Sequence, residues 1–256
     1  MHQKTNESRR WDTLAKQFDA LQVPQWGKDP FLNILETLPV WENKPAVMDL
    51  GCGAGRYSVA LAEKCTRVLG TDLSPNMIEY AEQKKAVFHL ENVSFVCEDW
   101  AEVDPAERGY EKQFDLVFGH MTPALQDLET LQKMIDCSRG WCAMASHERR
   151  STPMQQELNR YLGITDTYPK REKITEFFGF LYQRGMCPVV QYYDRDDSRS
   201  MAPEEAIEFF KNNLHGVDVI TPEIEEKIRD FVWAQAIDGT VVHTVESKIV
   251  AMTWHV

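Results

Sequence analysis

The sequence is short of positive charge. It has 28 lysines and arginines against 40 aspartates and glutamates, and its 256 residues carry a net charge of −12 at pH 7. Binding to the phosphates of nucleic acids requires a broad basic surface. The sequence therefore predicts no nucleic-acid partner, although a local basic pocket stays compatible with it.

Long hydrophobic runs and closely spaced cysteine pairs are also missing. No apolar run approaches the roughly 20 residues of a membrane-spanning helix, so no membrane partner is predicted. Residues 1–10 are polar and mixed in charge, so we expect no secretory signal. The six cysteines contain no C-x-x-C pair, and no histidine, cysteine or acidic set has zinc-site spacing. We therefore expect a cytoplasmic protein with reduced thiols and no bound metal.

Residues 46–56 contain the most informative motif of the chain. An apolar run, 46–50, leads into Gly51-Cys-Gly-Ala-Gly55, and a helix-compatible segment begins at Arg56. This pattern predicts a strand, a tight turn and a helix. Glycines lack Cβ, so backbone N–H groups can approach a ligand closely, and the positive end of the helix points at the same place. Asp49 adds a carboxylate at the mouth of the strand.

The spacing of the glycines separates the ligands that such turns bind. A P-loop would end in Gly-Lys-Ser/Thr, which is absent. The dinucleotide fingerprint G-x-G-x-x-G/A fails because Arg56 or Ser58 occupies its last position. The observed D-x-G-x-G-x-G resembles motif I of class I S-adenosylmethionine-dependent methyltransferases of the small-molecule type. An acidic mouth suits the sulfonium and ammonium groups of that cofactor. The alternative is a flavodoxin-like turn that holds no ligand.

The resemblance extends to the next two predicted strand ends. Asp72 lies about twenty residues after the glycines, the offset expected for a carboxylate that bonds ribose hydroxyls. Residues 72–77 match the family pattern D-x-S-x-x-M, which implies that Leu73 and Met77 line the adenosine side, with simple core packing as the alternative for Met77. The resemblance also implies that Asp99 accepts from the adenine amino group. Trp100 is predicted as a stacking wall, with a core tryptophan as the alternative.

Two histidines follow later predicted strands and are candidates for a general base. His120 and His147 both come at strand ends beside the expected methyl site, and His120 is also expected to contact the cofactor. Histidine suits proton removal near neutral pH. The alternative for each is a purely local hydrogen bond. Tyr161 and Tyr168 could line an acceptor pocket, or could only pack locally.

The order of elements predicts an α/β fold. Five short apolar strands alternate with helices up to residue 150, which indicates a parallel, doubly wound sheet with right-handed crossovers. The resemblance implies a Rossmann-like sheet of seven strands with an antiparallel strand near the C-terminus. We expect one domain: N-terminal helices that form a lid or lie on the sheet edge (1–40), a cofactor-binding core (41–150), a helical cap or a plain crossover helix (151–186) and a segment completing the sheet (187–256). The charged segment 194–199 is predicted to be a solvated loop.

The resemblance implies a specific reaction. A methyl group would pass from S-adenosylmethionine to a small-molecule acceptor by in-line displacement, leaving S-adenosylhomocysteine. The sequence leaves open which acceptor atom is methylated, and it is compatible with a homodimer. Two alternatives remain at this point: a non-catalytic protein that binds S-adenosylmethionine or S-adenosylhomocysteine as a regulator, and an NAD-dependent oxidoreductase.

Overall fold

The computed structural model describes residues 6–164, 172–214 and 219–256. Within these ranges, seven strands form one sheet in the order β3-β2-β1-β4-β5-β7-β6. The strands are β1 (Ala46–Leu50), β2 (Arg67–Asp72), β3 (Val93–Cys97), β4 (Phe114–His120), β5 (Ser138–Ser151), β6 (Val189–Met201) and β7 (Val241–His255).

The predicted fold class is confirmed. Strands β3, β2, β1, β4 and β5 pair in parallel, and the C-terminal strands are antiparallel. The described helices are α1 (Asn6–Asp19), α2 (Pro30–Glu36), α3 (Arg56–Leu61), α4 (Pro75–Val87), α5 (Leu128–Cys137), α6 (Pro153–Leu162), α7 (Glu172–Gln183), α8 (Pro203–Asn212) and α9 (Pro222–Gln235). None of the described helices is both long and apolar enough to cross a membrane.

Strand β1 is the centre of the wound sheet. All five of its residues are buried, and it pairs with β2 on one side and β4 on the other. The chain moves outward from β1 to β3 and then returns to form β4, so the direction of winding reverses beside β1. In open parallel sheets, ligands bind beyond the carboxyl ends of the strands at such a reversal.

The chain divides into two compact units. Unit 1 comprises residues 1–146, 171–191 and 250–256, and unit 2 comprises residues 147–170 and 192–249. The core of unit 1 includes Leu131 of α5 and Phe177 of α7. The core of unit 2 is built from α6, α8 and α9 and includes Leu158 and Phe210.

The structure divides the predicted cap segment, 151–186, between the two units. Helix α6 belongs to unit 2, whereas α7 belongs to unit 1 and contacts α5 there. Its role as a cap over an acceptor stays a prediction.

The loop prediction for residues 194–199 was wrong, because this segment lies inside β6. Strand β6 is the edge of the sheet, so its side chains can face water and charge is tolerated there. Lys248 of β7 forms an ion pair of 3.0 Å with Asp194. A charged sequence therefore indicated exposure correctly, but not the absence of a strand.

Candidate functional site

The glycine turn after β1 has the conformation that the sequence predicted. Gly51 and Gly55 have φ values of +63° and +75°, a region that disfavours other residues. A Cβ on Gly51 would lie 1.8 Å from Thr122 Oγ1, and a Cβ on Gly55 would lie 2.7 Å from Phe95 Cζ. These two glycines are therefore required by packing within the protein itself.

Gly53 differs from its two neighbours. It also has a positive φ, of +54°, but among the described residues a Cβ placed there would find only Met77 Sδ within 4 Å, at 3.9 Å. The space beside Gly53 is therefore not filled by close packing. A ligand could approach the backbone at this point, which is what a glycine in a binding turn permits.

Asp72 lies directly beside the turn at the end of β2. Its Oδ2 accepts a hydrogen bond of 2.9 Å from Gly53 N, and its Oδ1 accepts one of 2.9 Å from Ser74 N. Burial raises the pKa of Asp72, and these two backbone hydrogen bonds offset part of that rise. Each carboxylate oxygen has a second lone pair, so Asp72 can also accept from a ligand hydroxyl.

The other residues predicted on the adenosine side surround the same strand ends. Asp99 is half-buried after β3, and its Oδ1 accepts from Ala101 N at 3.1 Å. Met77 is buried in the first turn of α4, and Leu73 is half-buried next to Asp72. These residues follow β2 and β3, which are neighbours in the sheet.

The structure places Asp49 behind the turn and not at its mouth. Asp49 is 3% exposed, and its Oδ2 accepts a hydrogen bond of 2.7 Å from Ser58 Oγ in α3. Burial raises the pKa of Asp49 to about 7, although the bond from Ser58 lowers it, and nearby Asp72 adds to the rise. Asp49 is therefore a buried group whose described hydrogen bond joins β1 to α3.

Trp100 lies in the hydrophobic core. It is 3% exposed, and its Nε1 donates a hydrogen bond of 3.1 Å to Thr130 O. This is the core position that the sequence left open as the alternative to a stacking wall. We do not include Trp100 in the site that we propose below.

His120 is the last residue of β4 and belongs to a chain of polar contacts. Its Nε2 lies 3.2 Å from Tyr57 Oη, and the Tyr57 hydroxyl lies 3.1 Å from Asp29 Oδ2. Sequence reasoning identified neither Tyr57 nor Asp29 as a residue of the site. The available signals were a tyrosine in the first turn after the glycines and a carboxylate just before α2.

His147 lies elsewhere in the fold. It is exposed within β5, which continues to Ser151, so it does not stand at a strand end as predicted. It belongs to unit 2, whereas His120 belongs to unit 1. Tyr161 is exposed in unit 2, with its ring centroid 5.9 Å from that of Phe231. Tyr168 lies outside the described residues.

Helix α1 packs beside the glycine turn. Its Ala15 is buried in a cluster with Ala54 of the turn and Met77 of α4. Asp12 Oδ1 accepts from Ser74 Oγ at 2.6 Å and from Asn76 N at 3.3 Å. The helix is thus attached to the residues that follow Asp72, next to the crevice.

The described residues contain no group of three or more histidine, cysteine or acidic side chains placed to hold a metal ion. The arrangement instead offers backbone N–H groups, carboxylate acceptors and one histidine around the carboxyl ends of β1 to β4. These groups can bind a ligand that carries hydroxyl, amino and cationic groups.

Comparison with known proteins identifies proteins that are similar to this chain. A family model described as a methyltransferase domain matches residues 42–172. The chain is 33% identical over 130 residues to a 23S rRNA (uracil(1939)-C(5))-methyltransferase of Shewanella amazonensis, covering 48% of this chain and 29% of that protein. It is 28% identical over 144 residues to phosphoethanolamine N-methyltransferase of Triticum aestivum, covering 56% of this chain and 26% of that protein. The chain therefore spans less than a third of the length of these curated relatives.

Solved structures give a similar result for the fold. The precorrin 8w decarboxylase of Methanobacterium thermoautotrophicum aligns over 93% of this chain and 98% of its own, with a TM-score of 0.51 and 15% identity. At that identity the likeness concerns the fold alone.

Proposed function

The chain belongs to the family of class I, S-adenosylmethionine-dependent methyltransferases, and we propose that it methylates a small-molecule acceptor. The contact between Asp72 and Gly53 is the observation that carries this proposal. It places the Asp72 carboxylate, which can accept hydrogen bonds from hydroxyl groups, 2.9 Å from the backbone nitrogen of Gly53, the least crowded of the three glycines of the turn.

The residues present fit S-adenosylmethionine. Gly53 would allow the cofactor to approach the backbone, and Asp72 would accept from its ribose hydroxyls. Asp99 would accept from the adenine amino group, with Leu73 and Met77 as apolar walls. Gly51 and Gly55 shape the turn, and the buried carboxylate of Asp49 would favour a cation nearby. When bound, this cofactor supplies a methyl carbon activated by a sulfonium.

His120 is the proposed general base. It lies at the carboxyl end of β4, next to β1 and its glycine turn. An acceptor hydroxyl would need a base to remove its proton, whereas an amine or a thiolate would need mainly alignment and exclusion of water. His120 therefore matters most if the acceptor carries a weakly acidic proton. His147, exposed and in the other unit, is the weaker candidate for this role.

Two observations support a small acceptor. The net charge of −12 disfavours a polyanionic partner. One relative is, by its name, an enzyme that methylates phosphoethanolamine. Another relative acts, by its name, on ribosomal RNA, so RNA is the competing acceptor class.

Replacing Asp72 by alanine tests the cofactor site. We expect S-adenosylhomocysteine to bind the natural protein, and Asp72→Ala to weaken binding by about 1–3 kcal/mol, the range for ligand hydroxyls left without an acceptor. Titration calorimetry measures this difference. The matched control is Asp104→Ala, because Asp104 Oδ1 also accepts from two backbone N–H groups but in the loop after β3.

Four outcomes would contradict the proposal. Equal affinity in the natural protein and Asp72→Ala would reject the ribose assignment. Binding of NADH without binding of S-adenosylhomocysteine would reject the cofactor. Transfer of a labelled methyl group to added RNA, and not to a pool of small metabolites, would reject the proposed class of acceptor. Binding of the cofactor with no methyl transfer at all would favour a regulatory protein.

A further inference from the structure

Lys173, in the first turn of α7, differs from the other half-buried lysines within residues 6–164, 172–214 and 219–256. Each of the others forms an ion pair of 2.6–3.2 Å with a carboxylate, whereas Lys173 forms none among the described residues. The paired lysines are Lys64, Lys84, Lys85, Lys133, Lys211 and Lys248. Because removing an ammonium from water is costly, a buried lysine is normally paired. The exception points to a ligand that supplies the missing charge.

The core of unit 1 partly removes the ammonium of Lys173 from water. Its Nζ lies 5.5 Å from the ring centroid of Phe177, which is completely buried one turn further along α7. Burial lowers the pKa of Lys173, and the carboxylate of Asp127 offsets part of that fall. A lysine that covers apolar surface with its stem and keeps its charge in open water would not show this effect of burial.

Asp127 does not act as an ion-pair partner of Lys173. Its carboxylate is exposed, and its Oδ1 accepts from Thr130 N and Thr130 Oγ1, both at 2.9 Å, which caps the start of α5. The charge of Asp127 nevertheless acts on Lys173, and helices α5 and α7 contact each other. The first turn of α7 therefore lies near the first turn of α5.

The start of α5 lies at the edge of the sheet that carries the proposed site. Residues 121–127 connect the carboxyl end of β4 to α5, and Thr122 in this connection packs against Gly51 of the glycine turn. The residues proposed to hold the cofactor follow β1, β2 and β3, which occupy one half of the parallel sheet. Lys173 lies on the other side of that edge, beside the end of β4, where the cofactor leaves room for an acceptor.

We propose that Lys173 binds an anionic group of the methyl acceptor, a carboxylate or a phosphate. This inference rests on the proposed function and adds the charge of the acceptor to it. An ammonium donates up to three hydrogen bonds and binds either group as a point charge. Partial burial strengthens this attraction, because less water screens the two charges. A single unpaired lysine in a chain of net charge −12 suits a small anion and not a polyanion.

Carbon NMR of lysine-labelled protein at pH 8 tests the inference, with S-adenosylhomocysteine added and the Lys173 signal assigned by its loss in Lys173→Met. The probes are inorganic phosphate and acetate, each compared with chloride at equal ionic strength. At least one probe should shift the Cε signal of Lys173 in a saturable manner. The probe that saturates at the lower concentration identifies the anionic group as a phosphate or a carboxylate.

Lys64 is the matched control within the same unit. It is also half-buried, and its Nζ lies 3.8 Å from the ring centroid of Trp26, but Glu36 pairs with it at 2.7 Å. Its Cε signal should therefore respond to neither probe. No shift of Lys173 with either anion, or equal shifts of Lys173 and Lys64, would overturn the inference.

Kinetics give a second test, with an acceptor found by the labelled-methyl assay. Lys173→Met keeps an unbranched apolar side chain but removes the charge, so KM for the acceptor should rise roughly 10-fold or more, the loss expected for a hydrogen bond to a charged group. The value of kcat should change much less, and Lys173→Arg should restore part of the lost affinity. Lys64→Met should leave KM unchanged. An unchanged KM in Lys173→Met would contradict the role of this lysine.

Binding of S-adenosylhomocysteine separates this inference from the proposed function. Its affinity should stay within about twofold in Lys173→Met, since distant and independent sites do not couple. If S-adenosylhomocysteine fails to bind the natural protein, the proposed function fails. If it binds but Lys173 responds to neither anion, only the role of Lys173 fails.

Discussion

At the scale of single residues, Asp49 links the glycine turn to the pH dependence of folding. Its pKa is raised from 3.8 to about 7, mainly because the carboxyl group is buried. Between these values the folded protein keeps the Asp49 proton, whereas the unfolded chain has lost it. Because the unfolded state then binds fewer protons, the free energy of unfolding falls as pH rises through this window.

Asp49→Asn should remove this dependence. Asparagine can still accept from Ser58 Oγ but cannot ionise, so the variant should gain stability over the natural protein as pH rises from 4 to 8. The gain should be on the order of a few kcal/mol, since each pKa unit corresponds to about 1.4 kcal/mol. Urea unfolding at pH 5 and pH 8 measures the difference.

Asp115 provides a control of opposite sign. The guanidinium of Arg139 bonds to it at 2.7 Å and holds the pKa of Asp115 below its usual range. Its contribution is present above the unfolded pKa and is lost as pH falls through the folded value. Asp115→Asn should therefore lower stability at pH 7. If Asp49→Asn and Asp115→Asn shift stability in the same direction at pH 8, the assignment of Asp49 is wrong.

A site residue that lies at a fixed distance along the chain from the glycine motif could be predicted from the sequence. A contact between residues that are distant in the chain could not. The position of Asp72 followed from its distance along the chain to the glycines, and the structure places it against Gly53. Tyr57 and His120 are separated by 63 positions, and no local pattern indicates that their side chains meet. Trp100 shows the converse, because its sequence position favours the site whereas its ring packs in the core.

At the scale of elements, α1 is held beside the site by polar contacts at its middle and at its end. Asp12 bonds to Ser74 and Asn76, the first residues of the α4 region, and Lys84 bonds to Asp19 at 2.6 Å. The sequence left two positions open for this helix, a lid or the sheet edge. Its packing against Ala54 and Met77 favours a lid, which stays a proposal.

Asp12→Ala should loosen α1. Loss of the two bonds that its carboxylate accepts should lower the free energy of local opening by about 1–3 kcal/mol. Hydrogen exchange of residues 6–19 should become faster, and S-adenosylhomocysteine should slow it again if α1 closes over the cofactor. Thr13→Ala is the control, since Thr13 is exposed on the same helix and bonds only within it. Equal exchange in both variants would show that Asp12 does not hold the helix.

Strand β6 shows why some elements escaped prediction. Its burial pattern is exposed over most of its length, so the alternation of apolar and polar residues that marks a half-buried strand is lacking. Backbone pairing with β7 decides its conformation, and that pairing is non-local. Strands β1 to β4 were predictable because they are short, largely apolar and bounded by turn residues.

At the scale of the whole molecule, each of the two units contains a hydrophobic core among the described residues. The sequence predicted one domain, and no local signal marks the boundary between units because β5 runs on from Gly140 past Ser146 without interruption. The fold class was predictable because the order of strands and helices fixes it. The second core was not, since Leu158, Phe210 and Val232 come together only in the folded chain.

Phe210→Ala should destabilise unit 2 before unit 1. Phe210 is completely buried, and truncating such a ring costs about 3–5 kcal/mol. Hydrogen exchange should become faster in residues 192–214 and 219–249, with protection of β1 and β2 less affected. Phe118→Ala, in the core of unit 1, should give the reverse pattern. Uniform loss of protection in both variants would indicate that the two cores unfold together.

Asp29 takes part in two contacts, and this has a consequence for how they form during folding. The same carboxylate that starts α2 also receives the hydroxyl of Tyr57. Until α2 has formed, the carboxylate of Asp29 is not fixed at the N-terminus of this helix, where it meets the hydroxyl of Tyr57. Formation of α2 and formation of the contact between Asp29 and Tyr57 should therefore occur together during refolding.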